Sequence, residues 1–175
     1  ALSYGVVLTA DDGRITQFLE KPTWSQVFSD TVNTGIYILE PEVLALVPPG
    51  QKVDFSQDVF PELLRRKAPL YGYVACGYWS DVGNLEVYRH AQKDCLDGKV
   101  RIDLPPPSSG NLYLEDGVHI HESAHIEGPA YIGTGVRIGA HAYVGPYSVV
   151  GPYTQIDAHA SLKQSLLWSG VKVGS

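Results

Sequence analysis

Residues 130–153 read AYIGTG VRIGAH AYVGPY SVVGPY, which are four six-residue phrases in succession. Each phrase has an aliphatic residue at its third position, and this register extends in both directions along the chain. The full series is Leu114, Ile120, Ile126, Ile132, Ile138, Val144, Val150, Ile156 and Leu162. An amphipathic helix would instead repeat its apolar residues about every 3.6 positions. A fixed short period is typical of a solenoid, in which each phrase forms one short strand and one corner.

The period also predicts where the side chains point. Strand side chains alternate, so the aliphatic residue and the small or β-branched residue two positions earlier both face a narrow interior. Glycine follows the aliphatic position at residues 133, 139, 145 and 151, where either a Cβ would clash or φ has to be positive. Past Leu162 the register slips, because Val171 and Val173 restore the phrase one residue early. We therefore expect Gln164–Gly170 to bulge outward or to form a short loop.

A break in composition precedes the repeats. Residues 104–111 read LPPPSSGN, where proline removes backbone donors and Ser-Ser-Gly loosens the chain. Residues 1–103 carry 10 of the 13 Lys and Arg and 14 of the 19 Asp and Glu, so the repeat region is poor in charge. We predict two domains, 1–103 and 112–175, joined by a linker at 104–111.

The composition excludes several classes of protein. The 175 residues carry a formal charge of -6 and are 44% hydrophobic, which suits a folded domain without a broad basic surface for nucleic acid or anionic lipid. No apolar run is long enough to span a bilayer. Two cysteines, Cys76 and Cys95, are too few for a disulfide framework, and we expect both to be buried, inert thiols. These features predict a cytoplasmic protein with neither nucleic acid nor a membrane as partner.

The amino-terminal part reads as mixed α/β. Strands at Tyr4–Ala10 and Ile15–Leu19 flank Asp-Asp-Gly, a strong hairpin signal. Two further strands are predicted at Thr34–Leu39 and Leu70–Ala75. The predicted helices are Pro41–Val47, Asp58 through Lys67 with Asp58 as its cap, and Asn84–Asp97.

Three polar phrases lie at the ends of these elements. They are Glu20-Lys21-Pro22, Asn33-Thr34-Gly35 and Trp79-Ser80-Asp81-Val82-Gly83. Open α/β sheets bind ligands where their strands end, so these phrases are the candidate site.

Four phrases in order resemble a known family. They are GVV…DDGRITQFLEKP at 5–22, NTGIYIL at 33–39, DFSQDVFPELL at 54–64 and GYWSDVGNLEVYRHA at 77–91. Over about residues 4–98 the chain resembles the second half of the sugar-1-phosphate nucleotidyltransferases, and the sub-class looks similar to mannose-1-phosphate guanylyltransferases. The repeats resemble the hexapeptide family. The resemblance implies part of a Rossmann-like sheet followed by a left-handed parallel β-helix with three hexads per coil.

The resemblance also implies a reaction and residue roles. A sugar 1-phosphate would attack the α-phosphorus of a nucleoside triphosphate, with Mg²⁺ neutralising charge. By resemblance, Lys21 would contact the sugar phosphate, Glu20 and Asn33 would bind sugar hydroxyls, the Gly35 backbone would approach the sugar, and Asp81 would hold the metal.

Each assignment has a structural alternative. Asp81 could cap the helix that starts near Asn84. Lys21 could be a solvated turn lysine, and Glu20 and Asn33 could be local turn residues. Trp79 is expected to pack rather than to stack on a ligand, and Asp58 is expected to be structural.

The chain departs from the family at one point. The glycine-rich phosphate loop and the first metal aspartate of the amino-terminal half have no counterpart here. We therefore expect this chain to be a fragment that does not catalyse nucleotidyl transfer by itself.

Two other functions remain open from the sequence. One is a hexapeptide-repeat acyltransferase with a histidine base, for which the solenoid offers His119, His121, His125, His141 and His159. The other is a non-catalytic regulatory or assembly module, in which the β-helix would mediate a homo-oligomer.

Overall fold

The computed structural model of the chain describes residues 5–19, 23 and 31–175. The chain divides into two compact units, residues 1–79 and 80–175. The first is a small α/β region, and the second contains a helix and a β-solenoid. The domain boundary predicted at 104–111 stays a prediction. In the structure, residues 80–103 belong to the same compact unit as the solenoid.

The first unit is built on a β-hairpin, as the Asp-Asp-Gly turn predicts. Strand β1 (Val6–Thr9) pairs antiparallel with β2 (Ile15–Leu19). Gly13 in the turn has a φ of +83°, which glycine adopts without a steric penalty. On the outer sides of the hairpin, single antiparallel bridges join Val6 to Val32 and Arg14 to Tyr71.

The helical segment of the first unit begins earlier than predicted. A π-helical turn (Phe55–Val59) leads into α1 (Phe60–Arg65). The cap is Asp54, whose carboxylate accepts hydrogen bonds from the amides of Ser56 and Gln57 at 2.8 and 3.0 Å. Asp58 was the predicted cap; its carboxylate instead accepts from the Asp54 amide at 2.8 Å. The two carboxylates satisfy orphan donors reciprocally, in the manner of a capping box, so Asp58 is structural as expected.

An aromatic cluster forms the core of this unit. Phe18 on β2 meets Phe60 on α1 edge to face, with ring centroids 5.4 Å apart. Val59, Phe60 and Leu63 are buried in the same cluster. A 3₁₀ helix (Pro41–Leu46), predicted from the sequence as a short helix, contributes Val43 to its edge.

Two predicted strands of the first unit are wrong. Residues 34–39 and 70–75 form no strand, and only Tyr71 of the second segment bridges to the hairpin. Ile38 is fully exposed, and Tyr73 is 92% exposed. The predicted burial required strands on either side of these segments, and the described residues supply none there. Cys76, expected to be buried, is exposed for the same reason.

The second unit opens with helix α2 (Leu85–Leu96). Asn84 caps it by accepting a hydrogen bond from the Val87 amide at 2.9 Å. Past its last turn, Gly98 has a φ of +73°, as expected for a glycine that ends a helix. Cys95 on this helix is partly buried.

Residues 112–175 form the solenoid, as the hexad period predicts. Its eleven short strands are β3 (Leu112–Leu114), β4 (His119–Ile120), β5 (His125–Ile126), β6 (Ala130–Ile132), β7 (Arg137–Ile138), β8 (Tyr143–Val144), β9 (Ser148–Val150), β10 (Gln155–Ile156), β11 (Ser161–Leu162), β12 (Leu166–Leu167) and β13 (Lys172–Val173). They form three parallel sheets, in the orders β13-β10-β7-β4, β11-β8-β5 and β12-β9-β6-β3. Each strand pairs with the third one along the chain, so a coil takes three hexads and the array has about three coils.

The aliphatic series fills the interior, as predicted. Ile132, Val144 and Val150 have no exposed surface, and Ile156 has 1%. The small residues two positions earlier, such as Ala130 and Ala142, are equally buried. In the first coil Ile120 keeps 40% of its surface exposed, because no coil lies beneath it among the described residues.

The corner glycines are required by close approach between coils. A Cβ on Gly139 would lie 2.6 Å from the Ala158 amide nitrogen, and one on Gly151 would lie 2.6 Å from the Trp168 carbonyl carbon. Of the two reasons left open by the sequence, the clash applies here. Positive φ falls three residues after the aliphatic position, at residues including His141, Tyr147, Tyr153 and His159.

The segment Gln164–Gly170 is not a bulge, which corrects the prediction. It contains β12, which pairs with β9 so that Leu167 faces Val150. The step from Leu162 to Leu167 is five residues instead of six, and Gln164 turns this shorter corner with a φ of +46°. One residue is lost at the corner, while the strand keeps its place in the sheet.

Helix α2 packs on the sheet that contains β3, β6, β9 and β12. The Tyr113 hydroxyl donates to the Leu96 carbonyl at 3.4 Å, and the Tyr147 hydroxyl donates to Asp97 at 3.1 Å. The Lys93 ammonium lies 5.3 Å from the centroid of the Tyr147 ring. These contacts join helix α2, at the end of the segment 4–98, to the solenoid within one compact unit.

We predict that Gly139→Ala destabilises the solenoid by about 1–3 kcal/mol, because the added methyl meets backbone atoms of the next coil that cannot rotate away. Gly174→Ala is the matched control, since nothing lies within 4 Å of a Cβ at that position. Urea unfolding followed by circular dichroism measures both changes. Equal stability of the two variants would contradict the close-approach explanation.

A second prediction concerns Ser148, which is fully buried at an inward position. Its hydroxyl has no hydrogen-bond partner within the described part of the chain. Ser148→Ala should therefore raise the free energy of unfolding by about 1 kcal/mol. Thr154→Val should lower it, because the Thr154 hydroxyl donates to the Trp168 carbonyl at 3.1 Å. A loss of stability in Ser148→Ala would show that the hydroxyl is satisfied in solution.

Candidate functional site

Asn33 organises the loop that follows the first bridge to the hairpin. Its backbone amide donates a hydrogen bond to the Gly5 carbonyl, just before β1, at 2.8 Å. The side-chain oxygen accepts from the Gly35 amide at 3.1 Å, and the side-chain nitrogen donates to the Tyr37 hydroxyl at 2.7 Å. This is an Asx-type turn, so the structural alternative for Asn33 is present in the fold.

Gly35 lies at the open side of this turn. Its φ is +79°, a conformation that side chains other than glycine rarely adopt, and nothing lies within 4 Å of a Cβ built there. The backbone at Gly35 is therefore accessible to a ligand. The predicted contact between the Gly35 backbone and a sugar requires such accessibility.

Two further side chains, those of Tyr37 and Ser56, contact the Asn33 turn and were not singled out from the sequence. Tyr37 packs its ring against Phe60 at 4.8 Å between centroids and receives the Asn33 hydrogen bond. The Ser56 hydroxyl lies 3.4 Å from the Asn33 side-chain nitrogen. Trp79, expected only to pack, donates its ring N–H to the Thr34 carbonyl at 3.3 Å. The aromatic residues inside NTGIYIL and GYWSDVG were the available signal.

Asp81 lies in the second compact unit and is exposed. Its carboxylate makes no hydrogen bond or ion pair with any residue that the structure describes. Asn84 caps helix α2, so the alternative role of Asp81 as its cap is wrong. The carboxylate is available to an external cation or donor.

Glu20 and Lys21 lie outside the described residues. The roles that the resemblance implies for them stay predictions. Of the five predicted site residues or contacts, the structure brings Asn33 and Gly35 into one turn and describes Asp81 within its own unit.

Glu62 and Cys95 are two of the described residues whose pKa values are shifted. Arg65 and Arg66 both donate to the Glu62 carboxylate, and these hydrogen bonds lower the pKa of Glu62 to about 2. On helix α2, burial raises the pKa of the Cys95 thiol, and the neighbouring Asp94 charge adds to this effect. A Cys95 thiol with a raised pKa is a poor nucleophile, which agrees with the expectation that it is inert.

The described residues contain no group of three or more His, Cys, Asp or Glu side chains placed to hold a metal ion. Asp81 thus belongs to no such group of three among the described residues. Within the same described ranges, no helix is long and apolar enough to cross a membrane.

Three of the solenoid histidines stack on rings of neighbouring coils. The rings of His141 and His159 lie 5.1 Å apart between centroids, and those of His125 and Tyr143 lie 5.7 Å apart. The Ser123 hydroxyl lies 2.9 Å from His121 Nδ1 and accepts from the His141 amide at 3.1 Å. These contacts are structural and give no positive support to a histidine base for acyl transfer.

Comparison with known families gives two matches. Residues 1–98 match the model of the family described as nucleotidyl transferase. The chain belongs to this family. Residues 111–146 match the model described as bacterial transferase hexapeptide, six repeats. Both resemblances seen in the sequence are confirmed.

The relatives of the chain are sugar-1-phosphate nucleotidyltransferases. UTP–glucose-1-phosphate uridylyltransferase of Synechocystis sp. is 40% identical over 99 residues, which is 57% of this chain and 26% of that protein. Mannose-1-phosphate guanylyltransferase of Mycobacterium tuberculosis is 34% identical over 97 residues, or 55% of this chain and 26% of that protein. Glucose-1-phosphate adenylyltransferase of Desulfitobacterium hafniense is 38% identical over 109 residues, or 59% and 27%. The matched stretch thus spans about a quarter of these relatives.

We predict that Asp81→Ala leaves the stability of the chain unchanged within about 0.5 kcal/mol, because its carboxylate supports no described contact. Asn84→Ala should lower stability by about 1 kcal/mol through loss of the helix cap. Thermal unfolding of both variants separates the two roles. If Asp81→Ala were as destabilising as Asn84→Ala, Asp81 would be structural and its proposed ligand role would lose its main support.

Proposed function

We propose that the protein takes part in joining a sugar 1-phosphate to a nucleoside triphosphate. A phosphate oxygen of the sugar 1-phosphate attacks the α-phosphorus, the bond from that phosphorus to the β-bridging oxygen breaks, and pyrophosphate leaves. The observation that carries the proposal is the family match over residues 1–98. The turn at Asn33 and Gly35 supports it, because it exposes backbone next to a fixed polar side chain.

The sugar side of this reaction falls to the amino-terminal phrases. Lys21 would place its ammonium on the sugar phosphate, and Glu20 would accept from sugar hydroxyls. The Asn33 side-chain oxygen already accepts from Gly35, so its contribution would be to hold the turn while its remaining lone pair meets a hydroxyl. These groups position the substrate, which is the larger part of catalysis in phosphoryl transfer.

Asp81 is the residue that would hold the divalent cation. Mg²⁺ is usually held by one or two carboxylates together with substrate phosphates, and an exposed carboxylate without internal partners fits that requirement. When bound, Mg²⁺ would neutralise charge on the phosphates. Asp81 would orient it through one carboxylate.

The identities of the sugar and of the nucleotide base are proposed from the similarity of the chain to its relatives. Of the relatives named above, one is a UTP–glucose-1-phosphate uridylyltransferase, one a glucose-1-phosphate adenylyltransferase and one a mannose-1-phosphate guanylyltransferase. Mannose and GTP remain our proposal from the sub-class resemblance. We also propose a cytoplasmic protein that forms a homo-oligomer through the solenoid, whose parallel sheets offer faces for side-by-side packing.

The sugar-phosphate role can be tested by calorimetry on the 175-residue chain. Mannose 1-phosphate and glucose 1-phosphate, each with Mg²⁺, are titrated into the chain and into Lys21→Gln and Lys52→Gln. Loss of the predicted charge-assisted contact should weaken binding roughly tenfold in Lys21→Gln only. Identical behaviour of the two lysine variants would contradict the assignment of Lys21.

Catalysis is tested separately on the same preparation. We expect no pyrophosphate release when the chain is given GTP, mannose 1-phosphate and Mg²⁺, because it has no counterpart of the glycine-rich phosphate loop. Release above the blank would overturn the expectation that the chain is inactive by itself. It would leave the family assignment intact.

A further inference from the structure

A groove of about 690 Å³ lies on the solenoid, on the sheet formed by β4, β7, β10 and β13. We call it the Arg137 groove. Its polar lining comes from His119, His121, Arg137, Gln155 and Asp157. A volume of this size is within the range of sites for small molecules.

Arg137 occupies the middle of this lining. Strand pairing sets it directly between His119 on one neighbouring strand and Gln155 on the other. Adjacent strands are about 4.8 Å apart, so these side chains lie side by side on the sheet. The Arg137 guanidinium is exposed and makes no hydrogen bond or ion pair with any residue in the described ranges.

The acidic residue of the groove is already engaged. Asp157 accepts a hydrogen bond from the Gln155 side-chain nitrogen at 2.7 Å, and its carboxylate lies 3.5 Å from the Lys172 ammonium. Lys172 therefore offsets the charge of Asp157. Arg137 remains as an unopposed cation, with two imidazoles nearby that can donate hydrogen bonds.

We propose that the Arg137 groove binds a small organic phosphate. A guanidinium presents paired donors that match phosphate oxygens, and the histidines add donors on one side of it. The side-chain oxygen of Gln155, whose side-chain nitrogen is engaged by Asp157, can accept a hydrogen bond from a hydroxyl of the organic group. This site lies on the solenoid and goes beyond the proposed nucleotidyl transfer, whose residues are in other phrases of the chain.

The proposal is tested by titrating the full chain with glucose 6-phosphate, with glucose and with malate. Binding is measured by calorimetry and by the NMR shifts of the His119 and His121 ring protons. Glucose 6-phosphate should bind and shift these protons, and Arg137→Gln should weaken its binding at least about tenfold. Lys163→Gln, which removes an exposed cation from another sheet of the solenoid, and Asn33→Ala, in the candidate sugar site, should leave binding unchanged.

Three results would overturn the proposal. They are the absence of binding at millimolar glucose 6-phosphate, equal binding to Arg137→Gln, and equal binding of malate or glucose. A loss of binding in Asn33→Ala with normal binding in Arg137→Gln would assign the phosphate to the candidate sugar site instead. Circular dichroism of each variant confirms that an altered affinity does not come from unfolding.

Discussion

The close approach of backbone between successive coils is the constraint on which the solenoid depends. Each coil lies directly on the next. At corners such as Gly139 and Gly151 the two backbones are so close that a Cβ would clash, so these positions require glycine. The parallel hydrogen bonds then hold an 18-residue register, seen in pairs such as Ile138 with Ile156. That register brings the aliphatic residues into one column, so burial of the core follows from the backbone contact. It also places outward side chains beside one another, which creates both the histidine stacks and the Arg137 groove.

The first unit depends on a different kind of contact. Its hairpin and α1 meet through Phe18 and Phe60, and that cluster is small. Apart from the bridge between Tyr71 and Arg14, the apolar segments at 34–39 and 70–79 have no strand partners among the described residues, and they present Ile36, Ile38 and Tyr73 to solvent. An apolar surface of this kind marks a place where another part of a protein packs. Gly35, in the turn held by Asn33, lies within the first of these segments.

The sequence was most informative where the contacts are local or periodic. The hexad series predicted the solenoid, its interior and its strand positions, and Asp-Asp-Gly predicted the hairpin. Burial of TGIYIL and of Cys76 could not be inferred, because burial depends on neighbours that hydrophobicity does not identify. The sequence could not predict which of Asp54 and Asp58 caps the helix, since Asp is a favoured cap at either position. For the candidate site, motif order proposed Asn33 and Gly35, while Tyr37, which contacts Asn33, could not be told from a core residue by pattern alone.

The five-residue step between Leu162 and Leu167 has a consequence for how such proteins diverge. A deletion within a helix rotates every later side chain by about 100°, and one within a strand turns the remainder to the opposite face. Here a residue is absent from a bend, and Leu167 still stands above Val150. The hydrogen bonds run parallel to the long axis of the stack, so bends can lose or gain length without disturbing the layers. Evolution can therefore reshape the rim of this array one residue at a time while its packing order is inherited unchanged.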